Sequence, residues 1–185
     1  MRGFFLHVPG ERLSVSELSA ARLDGDVVDL GESYAPADLV ETAALRAASL
    51  LPLTGGIRGA AFAGMSAAWI HGAGDAAPEV HELQSATGRR LRAPATRRLI
   101  VHDPVPDPVD LQVVGGVAVT TPERTVIDLL RWPVTHPRRH EWARLLLQVD
   151  PPLAHRAAIR LSALHHGPGH QRAVRFLAAR EAGAA

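Results

Sequence analysis

The chain contains no cysteine and no lysine, and only 4% of its 185 residues are aromatic. Without cysteine there can be no disulfide framework and no thiolate metal site. Without lysine there is no phosphate loop of the Gly-Lys-Ser/Thr kind, and no paired carboxylates with an adjoining lysine of the sort a nuclease strand carries. Long hydrophobic runs are missing too: "LIVHD" and "VVGGVAVTT" are strand-sized, far below membrane-spanning length. The opening "MRGFFLHVPGERL" holds an apolar patch too short for a secretory leader, so the expected location is the cytoplasm, with no membrane partner.

What is present is arginine. All twenty basic residues are arginines, a side chain that pairs bidentately with phosphate and carboxylate. The net charge of +1 hides an asymmetry: residues 1–54 carry eight acids against four arginines, whereas fifteen arginines and eight acids lie from Arg89 onward. An anionic partner is therefore expected at the basic end. The tightest cluster is Arg89, Arg90, Arg92, Arg97 and Arg98 in "GRRLRAPATRRLIVHD", with no acid among them. These five are the candidate nucleic-acid contacts, the alternative being a solvated strand edge protected against aggregation. Arg138, Arg139 and Arg144 lie on a segment rich in leucine, where a packing helix with a charged rim is expected.

Periodicity divides the chain into an α+β pattern. "LSVSELSAARL" reads as a short helix beginning near a serine cap and "DVVDLGESYA" as a strand or wing. A helix is expected from Pro36 through "PADLVETAALRAASLL", ended by Pro52. "AAFA", "EVHELQS", "RRLIVHD" and "DLQVVGGVAVT" read as strands. After them come four helices: one capped by Thr121 with Pro122 in its first turn, then "PRRHEWARLLLQV", "PPLAHRAAIRLSALHH" and "GHQRAVRFLAAR", separated by prolines.

Ser66 poses the sharpest chemical question. In "GMSAA" it nearly satisfies the small-residue pattern of a hydrolase nucleophile elbow, but Ala68 stands where glycine is required. The expected role is therefore a helix cap or core-edge residue, with Gly72 and Gly74 ending the helix and Trp69 and Ile70 facing a core. A small serine hydrolase is the competing reading. The ten histidines suggest metal binding, but neither "HPRRH" nor "HHGPGH" keeps two ligands on one helical face, and "HELQS" lacks a second histidine. No metal and no cofactor are expected. The glycines of "TGGIRGAAFAG" fit a tight turn better than a phosphate cradle.

The order "GMSAAWIHGAGDAAPEVHE", "RRLIVHD", "VVGGVAVTTPERTVIDLLRW" resembles the central domain of actinobacterial AbiEi-type proteins, the antitoxin and transcriptional-regulator family of type IV toxin–antitoxin systems. The matching pieces are Ser66 to Gly72, Arg97 to His102 and Thr121 to Leu129, and the resemblance spans roughly residues 36–180. It implies an amino-terminal winged helix-turn-helix that reads promoter DNA, and a cognate nucleotidyltransferase-like toxin. In this chain "SVSEL" resembles the start of the second helix and "GDVVDLGESYAP" the wing, but only six residues separate Leu18 from Gly25, too few for a recognition helix. Asp24, Asp26, Asp29 and Glu32 would also repel phosphate there. Some longer relatives continue into a Vsr-like endonuclease domain; here the sequence stops where it would begin, so no nuclease activity is expected.

The expected architecture is thus a degenerate winged-helix remnant (1–35) followed by an AbiEi-like α+β domain with a small mixed sheet and a helical C-terminus (36–185). The expected function is non-enzymatic: an antitoxin or transcriptional regulator that binds DNA or another nucleic acid, or a partner protein. The alternative is a protein-interaction module that has lost DNA recognition. Arg124 and Asp128, four apart on the Thr121 helix, should form an ion pair.

Overall fold

The computed structural model describes residues 5–54, 57–92, 96–102, 105–133, 135–165 and 167–182. The first helix, α1 (Val15–Asp24), begins on a reciprocal cap: Glu17 N–H donates to Ser14 Oγ, and Ser14 N–H donates to the Glu17 carboxylate at 2.8 Å. Strands β1 (Val27–Leu30) and β2 (Ser33–Pro36) follow as an antiparallel hairpin, the wing read from the sequence. Among the described residues one helix precedes that hairpin.

The helix expected from Pro36 starts later, which corrects the sequence reading. Pro36 is the last residue of β2, paired with Val27, and a turn separates it from α2 (Ala43–Ser49). Thr42 is the stronger start signal: it sits in the extended region and its Oγ accepts the Leu45 N–H at 3.3 Å. Pro52 does not terminate the helix either. It lies in the first turn of a second short one, α3 (Leu51–Thr54), where its missing N–H costs nothing.

The central sheet contains β3 (Ala60–Phe62), β4 (His81–Ser85), β5 (Leu99–His102), β6 (Leu111–Val114) and β7 (Val117–Thr120), in the order β5-β4-β3-β7-β6. It is mixed, with β3 parallel to β7, β4 parallel to β5, and both β3–β4 and β6–β7 antiparallel. Helix α4 (Gly64–Ile70) connects β3 to the segment before β4 and buries Ala67, Ala68, Trp69 and Ile70. Gly72 follows it with φ +104 and ends it as expected.

Four helices follow among the described residues: α5 (Pro122–Arg131), α6 (Pro137–Val149), α7 (Leu153–Ser162) and α8 (His170–Ala182). Thr121 caps α5, its Oγ accepting the Arg124 N–H at 3.3 Å. Val126, Ile127, Leu129 and Leu130 are fully buried, each stabilising the fold by about 1.5–3 kcal/mol. They form a helical core with Leu146, Leu147, Leu153, Leu161 and Leu177. A second core around Phe62, Trp69, Ile70, Leu83 and Val119 takes in Leu30 and Ala35 of the hairpin, and Trp142 packs against both. The fold is α+β. No described helix is long and apolar enough to cross a membrane.

Candidate functional site

The arginine cluster divides into two parts. Arg89, Arg90 and Arg92 follow β4 in an exposed turn that a single serine locks: Ser85 Oγ accepts the Thr87 N–H at 3.3 Å and donates to the Arg89 carbonyl at 2.6 Å. Together with Arg58, Gly59 and Thr87 they line a shallow depression of about 510 Å³. None of these four guanidinium groups is paired with a carboxylate among the described residues. Arg58 was not singled out by sequence reasoning. It stands alone in its segment and joins the cluster only because Gly59 O accepts the Ala86 N–H at 2.7 Å, setting β3 beside the turn after β4.

Arg97 is exposed, and the residues 93–95 between the two parts lie outside the described residues. Arg98 is not available in the same way. Both of its terminal nitrogens reach the carboxylate of Glu32 at the tip of the hairpin, one at 2.7 Å. The acidic wing thus neutralises one end of the basic stretch.

Ser66 is neither a cap nor at the core edge, which corrects that expectation. The residue at the N-cap of α4 is Ala63, with no side-chain cap, and Ser66 is the third helical residue, wholly buried. Its Oγ accepts the Glu82 N–H at 3.1 Å and lies 3.1 Å from His81 Nδ1. His81 Nε2 is in turn 3.6 Å from Glu32 Oε1. This serine–histidine–glutamate line is sealed from solvent at Ser66 and His81. Burial pushes His81 down to about 4, outweighing the upward pull of Glu32, so the imidazole is neutral at pH 7. The line joins α4, β4 and the hairpin.

The cap that Ser66 does not provide comes from Glu82 on β4. Its Oε1 accepts the Met65 N–H at 3.0 Å, satisfying a donor in the first turn of α4. Its Oε2 receives His102 Nε2 of β5 and Arg139 Nη2 of α6, each at 2.5 Å. Burial raises the Glu82 pKa, but the His102 hydrogen bond, the Arg139 charge and the Met65 N–H together hold it below its ordinary value. Arg139 also lies 4.1 Å above the Trp132 ring. Arg139 is therefore a buried, paired cation rather than a rim residue. This centre forms one side of a cleft of about 440 Å³, whose other walls include Gln84, Arg131, Trp132 and Asp128.

A second network fixes α5. Arg124 Nε donates to Asp128 at 2.8 Å, the expected i,i+4 pair, while its Nη1 reaches Asp110 at 2.8 Å. Asp110 also accepts from Arg160 of α7 at 2.6 and 2.9 Å. Burial raises both carboxyls. The two arginines reverse that at Asp110 and leave its pKa lowered, whereas Asp128 stays raised.

Among the described residues no group of three histidine or acidic side chains is placed to hold a metal ion. Several histidines serve the framework instead: His71 contacts the Thr120 carbonyl at 2.7 Å and His140 the Trp132 carbonyl at 2.9 Å. His166 of "HHGPGH", Gly55 and Gly56 of the glycine turn, and Asp103 lie outside the described residues.

No curated protein matches the chain. Residues 60–150 match the family model described as AbiEi antitoxin C-terminal domain. That span runs from the first residue of β3 to just past α6 and contains the sheet, the Ser66 and Glu82 anchors and the Thr121 helix. Over these residues the chain carries a domain of the AbiEi-type antitoxin family.

Proposed function

We propose that this antitoxin-family protein is a non-enzymatic transcriptional regulator that binds DNA through the face carrying Arg58, Arg89, Arg90 and Arg92, with Arg97 as a further contact. One observation carries the reading: four exposed guanidinium groups surround one depression beside a turn held by Ser85, and no carboxylate among the described residues pairs with them. Such a group costs little to desolvate against phosphates and releases counterions when it binds them. In this reading residues 1–35 are a degenerate winged-helix remnant attached to the domain at 36–185. Its partners are DNA and a cognate nucleotidyltransferase-like toxin, in the cytoplasm. The serine-hydrolase alternative draws no support from Ser66, which is wholly buried.

The test is DNA binding measured by anisotropy over a range of salt concentrations, with the promoter of the protein's own operon and an unrelated duplex. Changing Arg58, Arg89, Arg90 and Arg92 together to Ala should weaken binding and flatten its salt dependence by up to about four units. Deleting the N-terminal segment should do much less. An unchanged slope in the arginine variant, with binding lost on the deletion, overturns this placement and returns the role to the hairpin.

A protein-docking role has its own support. Val15, Leu23 and Val28 are exposed on α1 and β1 beside Asp24, Asp26 and Asp29. An apolar, acidic surface repels DNA and suits a protein partner. Capture of the toxin by the wild type but not by a Leu23→Asp variant would support this second role.

A further inference from the structure

The cleft beside Glu82 lies outside the arginine face and is not explained by any role assigned so far. Its volume of about 440 Å³ is in the range of small-molecule sites, and its lining combines Trp132, Pro133 and Pro168 with polar and charged side chains. Glu82, His102 and Arg139 satisfy one another and form a rigid wall. Arg124 and Asp128 pair with each other in the same cleft, which leaves Gln84 and Arg131 as the lining groups to consider.

Gln84 stands two residues after Glu82 on β4 and therefore on the same face of the sheet. It is 5% exposed, lines the cleft, and its Oε1 is buried with no hydrogen bond from the described residues. A buried acceptor without a partner is costly, and a native fold retains one where a ligand or water supplies the donor. Arg131 also lines the cleft. Its Nε donates to the Pro168 carbonyl at 3.2 Å and its Nη2 packs against Gly167; its charge acts on Asp128 of the same cleft without a carboxylate contact at ion-pair distance among the described residues, which leaves the guanidinium able to receive an anion. Trp132, half-buried, lines the same cleft; the Arg139 guanidinium stands 4.1 Å over its ring, and the His136 and His102 rings meet it edge-on at 5.1 and 6.0 Å.

An amide presents a donor and an acceptor side by side, the complement of the N6/N7 edge of adenine. An indole offers a surface to any flat base, and a guanidinium suits a phosphate. We propose that this cleft binds an adenine nucleotide, with Gln84 reading the base, Trp132 packing against the ring and Arg131 meeting the phosphate. The same chemistry is supplied by a free mononucleotide or by a nucleotide unstacked from a strand. The proposal does not depend on the arginine face.

The test is calorimetric titration of the full chain with AMP, adenosine, UMP, inorganic phosphate and a single-stranded oligo-dA. AMP is expected to bind with one-to-one stoichiometry, more tightly than UMP and adenosine, and inorganic phosphate should bind least. Gln84→Leu should erase the preference for AMP over UMP, a change of about tenfold or more. Arg131→Gln should bring AMP down to the level of adenosine. Arg131 is partly exposed, so this variant keeps the test valid if Gln84→Leu fails to fold. Binding by AMP identifies a free nucleotide as sufficient. Binding by oligo-dA alone, lost in Gln84→Leu, identifies a strand-borne one. The proposal is overturned if neither binds to the folded wild type, if phosphate binds as tightly as AMP, or if oligo-dA binding is indifferent to Gln84 and Arg131 and is lost with Arg89, Arg90 and Arg92.

Discussion

The carboxylate of Glu82 occupies the space that a side chain at Gly64 would need: a Cβ built there would fall inside the contact distance of both carboxylate oxygens. Gly64 also has φ +53, in the left-handed region. One glycine thereby admits a buried charge that caps α4 and ties it to β5 and α6.

Replacing Gly64 with Ala should be among the most damaging single changes. The backbone strain costs about 1 kcal/mol, and pushing Glu82 off Arg139 adds the cost of a broken buried pair, about 3 kcal/mol or more. Chemical denaturation should show a loss of this size. A loss below about 1 kcal/mol would mean that the carboxylate is free to move and does not anchor the helix.

Glu82→Gln tests the same centre from the other side. It leaves Arg139 buried without its counter-charge, and the expected cost is about 3–5 kcal/mol. Replacing both Glu82 and Arg139 with Met should recover most of the loss, because the desolvation penalty disappears with the charges. If the double variant is no more stable than Glu82→Gln alone, the hydrogen bonds rather than the charges dominate.

Much of this framework was readable in the residues. Ser14 with Glu17, Thr121 with Pro122, and Arg124 with Asp128 are local patterns whose partners lie three or four residues apart, so helix geometry alone brings them together. The segment "DLQVVGGVAVT", read as strand, folds as the β6–β7 hairpin about Gly115 and Gly116. The Pro36 helix failed because two start signals competed and β2 pairing claimed the proline. The Glu82 centre was not legible. Its members come from β4, β5 and α6, twenty and fifty-seven residues apart, and no spacing rule links them. Ser66 was misplaced for a related reason: the small-residue pattern around it was visible, but the carboxylate that caps its helix comes from another strand.

Ser66 and His81 should make the protein sensitive to mild acid. The folded pKa of His81, about 4, lies below its ordinary 6.5, so the unfolded state takes up the proton first. The stability is fully present above pH 6.5 and is lost as pH falls toward 4, by about 3 kcal/mol from this group. His71, lowered by burial, and the depressed Glu82 and Asp110 carboxyls act in the same direction, while the raised Asp128 opposes them. A His81→Asn variant measured by denaturation at a series of pH values should show a shallower slope between pH 6.5 and 4. Ser66→Ala should cost about 2 kcal/mol at pH 7, since it strips hydrogen bonds from buried partners. A serine-directed fluorophosphonate should leave the folded protein unlabelled.

The Glu32–Arg98 pair yields the last prediction, which rests on the proposed DNA-binding role. Both terminal nitrogens of Arg98 are engaged by a carboxylate on the acidic hairpin, yet the arginine side chain remains 54% exposed. The arginine end of the pair is open to solvent, so Arg98→Ala should leave the thermal midpoint nearly unchanged, whereas Glu32, 15% exposed and 3.6 Å from His81 Nε2, also serves the buried line. The effect of the pair belongs to the electrostatics of the basic stretch: Glu32 removes one positive charge from a surface that phosphates would otherwise neutralise. Glu32→Gln should therefore release Arg98, tighten DNA binding and steepen its salt dependence by about one unit. Adding Arg98→Ala should abolish that gain, because the carboxylate then has nothing to mask. If Glu32→Gln steepens binding equally with Arg98 removed, the wing acts by repelling DNA through its own charge rather than by covering the arginine.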